Sequence, residues 1–288
     1  MKSRVTFKFT PVVLCGLCAA GVAGSALAQT VTPAQALISD KFVFNLGAFV
    51  LQTDLKGSLN GQSAQNPEVD FDESFGRGND ATRIRADALW RITPAHHLRF
   101  MYFNNSNDRT KTLTEVIKWG DYAFQPGTTA SLKHDIEVYE LAYEWAFMRS
   151  PNYEVAASFG VHYTDTTVEL SGTAIITKPD GTTETKPGAT KTTNVPAPLP
   201  VIGLRGAWAV APQWVLDAQV QYFGLGSGEF DGSWSDLRAS ATWMFSRNFG
   251  VGLGYNRFYT KVDVDTDKFN GRLKTGYSGL QAFLTGSF

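Results

Sequence analysis

From residue 41 to the end, apolar and polar residues alternate with a period of two in one segment after another. Successive side chains of a strand point to opposite faces, so this pattern dictates strands with one apolar and one polar face. Ten segments carry it, at about 41–54, 80–93, 97–112, 132–148, 153–169, 199–210, 214–228, 235–246, 249–264 and 273–288. The fourth sets Tyr139, Leu141, Tyr143, Trp145 and Phe147 against Glu140 and Glu144. The last sets Leu280, Ala282, Leu284, Gly286 and Phe288 against Gln281, Phe283, Thr285 and Ser287. Each segment reaches the roughly 9–11 residues that a tilted strand needs to cross a bilayer. Helical periodicity is hard to find, and no apolar run after residue 28 is long enough for a transmembrane helix.

A water-soluble sandwich alternates in the same way, and three features separate the two folds. The connections differ by parity. After even-numbered segments they are tight: "TPAH" at 93–96, "RSPN" at 149–152, "APQ" at 211–213 and "SRN" at 246–248. After the first, third and fifth they are long and polar, at 55–79, 113–131 and 170–198. Short turns at one end and long loops at the other are the arrangement of outer-membrane barrels. Tryptophans are sorted by height. Trp90, Trp145, Trp208, Trp214 and Trp243 lie near the short turns, Trp119 and Trp234 fall in long-side loops, and Tyr102, Tyr139, Tyr163, Tyr222 and Tyr255 lie towards the long-loop ends. Two aromatic girdles at the bilayer interfaces produce this sorting.

The polar face is the third feature. It carries Arg83, Arg85, Arg91, Arg99, Arg205 and Arg238 together with Asp87, Glu140, Glu144, Glu154, Asp217 and Asp236. A soluble core does not hold twelve charges, whereas a polar lumen does. The expected fold is therefore all-β: a transmembrane antiparallel up-and-down barrel of ten strands, with eight or twelve as alternatives. An open sheet would leave backbone groups unpaired in lipid, so the last strand must close on the first. All six basic residues of the inner face are arginine, whose planar fork suits bidentate pairing with carboxylates. With Arg205 two strands away from Glu140 and Glu144, a cross-strand charge network is expected. Ten strands leave little more interior than eight, and these side chains fill much of it.

The first 28 residues read differently. Lys2, Arg4 and Lys8 precede an apolar stretch from Pro11 to about Ala23, and "ALA" at 26–28 precedes Gln29. This is the layout of a secretory signal peptide cleaved after Ala28, leaving 29–288 as one barrel domain. Cys15 and Cys18, the two cysteines, leave with it, so no disulfide or thiol chemistry is expected. The loss of three cations takes the formal charge from −1 to about −4, which gives no reason to expect a nucleic-acid partner.

The stretches "RADALWRITPAHHLRF" (85–100), "APLPVIGLRG" (197–206) and "GLGYNRF" (252–258), with the closing Phe288, resemble a set of proteobacterial outer-membrane β-barrels of this size. They cover about an eighth of the chain. The resemblance implies the architecture and a place in the outer membrane of a Gram-negative cell envelope. It also implies that Phe288 is the signal read by the barrel-assembly machinery. It carries no agreed activity.

Several groups of residues are candidates for chemistry. Asp70 and Asp72 in "VDFDES", with His134 and Asp135 in "LKHDIE", lie near the outer rim. There they resemble the paired acids and Asp/His pair of ten-stranded omptin proteases, whose other signatures are missing. Outer-membrane lipid hydrolases use a lipid-facing serine with histidine, but His162 falls on the lumen face. His96 and His97 read as a solvated turn without a third metal ligand. Asp263, Asp265 and Asp267 lack the glycine and glutamate of a calcium loop and read as a hairpin tip. The Thr-, Lys- and Pro-rich stretch 177–198 reads as a mobile external connector. The expectation is a non-enzymatic barrel without cofactor or metal, its lumen narrow or plugged, its loops structural or binding. A small-solute channel is the alternative, and a protease or lipid-modifying enzyme a minor one. Its expected partners are outer-membrane lipid and lipopolysaccharide, the assembly machinery, and a loop ligand that the sequence does not identify.

Overall fold

The computed structural model describes residues 31–59, 69–71, 75, 81–227, 230–266 and 269–288. Ten long strands form the wall: β1 Phe42–Leu59, β2 Ala81–Arg91, β3 His96–Thr112, β4 Thr129–Ser150 and β5 Tyr153–Thr177, then β6 Thr183–Ala211, β7 Trp214–Ser227, β8 Phe230–Met244, β9 Phe249–Thr266 and β10 Phe269–Ser287. Each pairs antiparallel with the next, and β1 pairs with β10 from Val43↔Ser287 to Leu59↔Gly271, so the sheet closes. Closure reaches the last residue: Phe42 N–H donates to the Phe288 carbonyl (2.8 Å) and Phe288 N–H donates to the Phe42 carbonyl (2.9 Å). The alternation of the sequence is the alternation of the wall. Outward-facing Leu253 and Leu280 are 70% and 68% exposed, while the inward-facing Asn256 and Gln281 of the same two strands are buried. A belt of such residues, edged by tryptophans near the short turns and tyrosines further out, faces lipid.

The strands outrun the membrane on the long-loop side. The stretch expected as a mobile connector at 177–198 is mostly strand. β5 and β6 pair up to Thr177↔Thr183, leaving only a tight turn around Gly181, whose φ of 82° suits glycine. The Thr-rich composition that suggests a solvated loop also suits a solvated strand pair, because threonine is β-branched. Residues 113–131 likewise contain a small hairpin, Ile117–Trp119 with Tyr122–Phe124, which pairs onto β5 at Ala174–Ile176. Trp119 and Trp234, expected in loops, are both buried, and Trp234 is an inward-facing residue of β8.

The wall is uneven at one seam. β6 pairs with β7 only as far as Ile202↔Tyr222, although β6 continues outward on β5. Above that point β6 carries Pro196, Pro198 and Pro200 at alternate positions, all exposed or half-exposed. Proline has no N–H to donate, so it fits a strand edge without a partner.

One element has no counterpart in the strand reading. Helix α1, Pro33–Ser39, begins with a capping box in which Thr32 accepts from Gln35 N–H and the Gln35 side chain accepts from Thr32 N–H. Pro33 starts the helix where a missing N–H costs nothing. Ala34, Leu37 and Ile38 share one face and are buried against Val43, Leu89, Ala207, Val215 and Met244 inside the short-turn end. The helix is pinned by Ala34 N–H to the Pro212 carbonyl (3.0 Å), Gln35 to Asn152 (2.8 Å) and a two-pronged Arg247–Asp40 pair (2.6 and 2.7 Å).

Candidate functional site in the barrel lumen

The inner face presents three charged groupings between α1 and an aromatic layer. In the first, Glu144 on β4 accepts from Arg99 Nε of β3 at one oxygen (2.6 Å) and from Arg205 Nε of β6 at the other (3.0 Å). Arg205 also donates to Glu154 on β5 and to Asp217 on β7 (3.3 Å), so one guanidinium joins three acids from three strands. Arg91 Nε lies 3.7 Å from Glu154, and its Nη1 donates to the carbonyl of Asp40 (2.7 Å), tying the cluster to the end of α1. His97 is not the solvated turn residue that was expected. It is fully buried, 3.9 Å from Glu144 and 3.8 Å from Glu154, with Nε2 also near the Pro94 carbonyl. β3 begins at His96, which places His97 in the inward series with Arg99 and Met101. His96 faces out and meets the Tyr143 hydroxyl (2.6 Å).

The second grouping crosses the lumen. Arg85 on β2 donates to both oxygens of Asp87 (3.1 Å each) and to Asn256 Oδ1 on β9 (3.1 Å). Asn256 in turn donates to Asp236 on β8. Arg238 on β8 donates to Asp87 (2.8 Å) and to Gln219 on β7 (2.6 Å). The third joins Gln221 of β7 to Glu140 of β4 (2.7 Å), with His162 Nε2 of β5 3.1 Å from the same carboxylate. Arg83 stands apart, nearer the outer end, bonded to Asn105 (2.7 Å) and the Ser106 carbonyl. Phe288 lies at the opposite end, exposed, with its ring edge-on to Phe249 (5.8 Å).

The lumen departs from the expected polar interior: it is layered. Above the charges sit Phe49, Phe103, Trp234, Phe258 and Tyr277, all buried. Tyr277 stacks on Phe258 (4.9 Å) and meets Phe49 and Phe103 at 5.6 and 4.7 Å. Trp234 stands edge-on to His162 at 4.2 Å. Further out, Leu55, Ile117, Trp119, Phe124, Leu132 and Leu170 form an apolar core within the tall strands and the small hairpin. Below, between α1 and the charges, a cavity of about 80 Å³ is lined by Arg91, Arg99, Arg205, Asp217 and Thr242, polar enough and roomy enough for a few waters. Phe283 also turns inward there. Its ring lies across β9 at Gly252, where any Cβ would run into it.

The outer-rim acid–base pair does not assemble. His134 is buried and inward-facing, and Asp135 points outward to Ser106 and Lys133. Neighbours in a strand face opposite ways, so "HD" in an alternating segment cannot be a dyad. Asp72 lies outside the described residues, as does Asp267. Asp263 is held by Lys261 (2.6 Å) and Arg272. Among the described residues no group of three or more His, Cys, Asp or Glu is placed to hold a metal ion.

No protein-family model matches the chain, and no curated protein matches it. Among solved structures it is similar to the outer membrane protease OmpT from Escherichia coli, with TM-score 0.55 and 12% identity, covering 87% of this chain and 97% of that one. Looser likenesses include the outer membrane protein AlkL (TM-score 0.39, 10% identity, 93% and 98% covered) and Neisserial surface protein A (0.31, 11%, 85% and 97%). At such identities the OmpT likeness is one of fold, not of activity. With the closed wall and its apolar belt, it makes this protein an outer-membrane β-barrel.

Proposed function

We propose that the protein is a non-enzymatic barrel whose lumen is closed by its own side chains, and whose tall outer hairpins serve structural or binding roles outside the cell. In this reading residues 1–28 are a signal peptide removed on export, and Phe288 is read by the assembly machinery. One observation carries the closed lumen: Arg238–Asp87, Arg85–Asn256 and Gln221–Glu140 bridge strands that are not neighbours, so any solute path through the middle must break them. The aromatic layer above and α1 below lie on the same path.

The test is conductance in a planar bilayer. The wild type is expected to be silent. Arg205→Ala should lower the thermal midpoint and leave the lumen silent, because the crossing bridges, the aromatic layer and α1 remain. Breaking one partner of a buried ion pair costs about 3–5 kcal/mol when fully desolvated, and an adjoining polar cavity with room for water reduces this. Steady wild-type current, with Arg205→Ala changing only its ion selectivity, would identify an open channel instead.

A further inference from the structure

The outer wall is electrically lopsided where it leaves the membrane. On β4 and β5 the outward residues above the tyrosines are Glu137, Asp135, Asp165 and Glu169, with Lys133. On β9, β10 and β1 the five basic residues Arg257, Lys261, Arg272, Lys274 and Lys56 outnumber the two acids among the described side chains, Asp263 and Asp54. Outward along β9 run Tyr255, Arg257, Tyr259 and Lys261, with Tyr255, Arg257 and Tyr259 exposed. The register sets Lys261 beside Lys274 of β10, and Lys274 beside Lys56 of β1, one row across three strands. Arg272 lies one outward-facing step further along β10, opposite Asp263.

Like charges directly opposite one another destabilise a sheet. Lys261 is answered by Asp263, which also takes Arg272. Arg257 is different. It is exposed among the tyrosines of the outer girdle, and its guanidinium makes no hydrogen bond or ion pair with a described residue. A guanidinium at that depth lies level with lipid headgroups, and its planar fork matches a phosphate. Ser278 faces it across the β9–β10 ladder and Gly276 lies opposite Tyr259, so small residues border it on β10. Directly below, Tyr255, Leu280, Leu253 and Leu284 continue the same strands as an apolar wall.

We propose that the outer end of the β9–β10–β1 wall binds the phosphate-bearing headgroup of an outer-leaflet lipid. Arg257 contacts the phosphate from β9, and Lys261 and Lys274 add their charge from further out along the wall. The acyl chains lie down the apolar wall beneath. The acidic β4–β5 wall repels the same headgroup, so the lipid takes one fixed side of the barrel. The site is on the outer surface and does not depend on whether the lumen conducts.

The experiment is a lipid titration of the detergent-refolded barrel, followed by native mass spectrometry, with diphosphorylated lipid A as probe. Near a charged surface each Lys or Arg contributes about 1 kcal/mol, so removing two corresponds to roughly thirtyfold. The double variant Arg257→Gln with Lys261→Gln is expected to bind the probe roughly thirtyfold more weakly. Arg257→Glu alone should weaken it as well, and wild type should hold dephosphorylated lipid A as poorly as the double variant holds the probe. Lys178→Gln with Lys186→Gln, which removes two charges from the distant β5–β6 hairpin, should bind as wild type does. Unchanged affinity in the double variant overturns the proposal. So does equal weakening in the hairpin variant, which would mark a diffuse charge effect. Displacement of the lipid by millimolar inorganic phosphate would assign the site to a free anion.

Discussion

His134 is one buried polar side chain in an outer layer of leucines and aromatics, and neither of its ring nitrogens has a hydrogen-bond partner among the described residues. It sits on β4 beyond the outward tyrosine Tyr139, where the neighbouring outward residues are charged, so it lies outside the membrane. Burial, followed by the nearby charge of Arg109, pushes its pKa down to about 4, while Asp135 on the opposite face of the strand pulls slightly the other way. An unfolded histidine titrates near 6.5. As pH falls from there towards 4 the unfolded chain gains a proton and the folded one does not, so stability drops across that window and levels off below it. The loss is at most on the order of 3 kcal/mol. Thermal midpoints at pH 7.5 and 5 should therefore diverge for the wild type and converge for His134→Leu, which should also be the more stable protein at both. A parallel acid loss in His134→Leu would place the sensitivity elsewhere.

At the level of elements, α1 is the piece that decides access from the short-turn side. The chain 29–288 has no cysteine, so Ser240→Cys, on the lining of the lower cavity, gives a single reporter. It should resist a water-soluble thiol reagent while α1 is seated and react when residues 31–40 are deleted. Equal labelling of both would mean the helix does not seal that end. The strands were legible because lipid and lumen impose opposite polarity at every second residue, as in "YELAYEWAF" on β4. The same logic marked Arg205, Glu144 and Asp87 as inward-facing. It could not say that Arg238 reaches Asp87, because that depends on how far the wall is sheared and closed. The helix left a signal too short for periodicity, yet "TPAQ" at 32–35 holds a threonine cap, a proline and the glutamine of a capping box. The outer apolar core was obscured because Leu132, Val168 and Leu170 lie in solvated strand ends that read as loop margins.

For the whole molecule, closure predicts how it behaves in detergent. Every strand has two neighbours through the membrane, and Phe42 bonds Phe288 at the join, so there is no edge from which SDS can unzip the sheet. Unheated samples should migrate differently from boiled ones in SDS gels; identical migration would argue against a closed barrel. The seam above Ile202 is the exception to closure, and its three alternating prolines bear on life in a crowded membrane. Neighbouring barrels collide side by side at high density, and an unpaired strand is a template on which another chain can add. The donorless flank of Pro196, Pro198 and Pro200 denies an incoming strand half of its ladder. The tall hairpin can thus stand bare among its neighbours without stitching them into a continuous sheet.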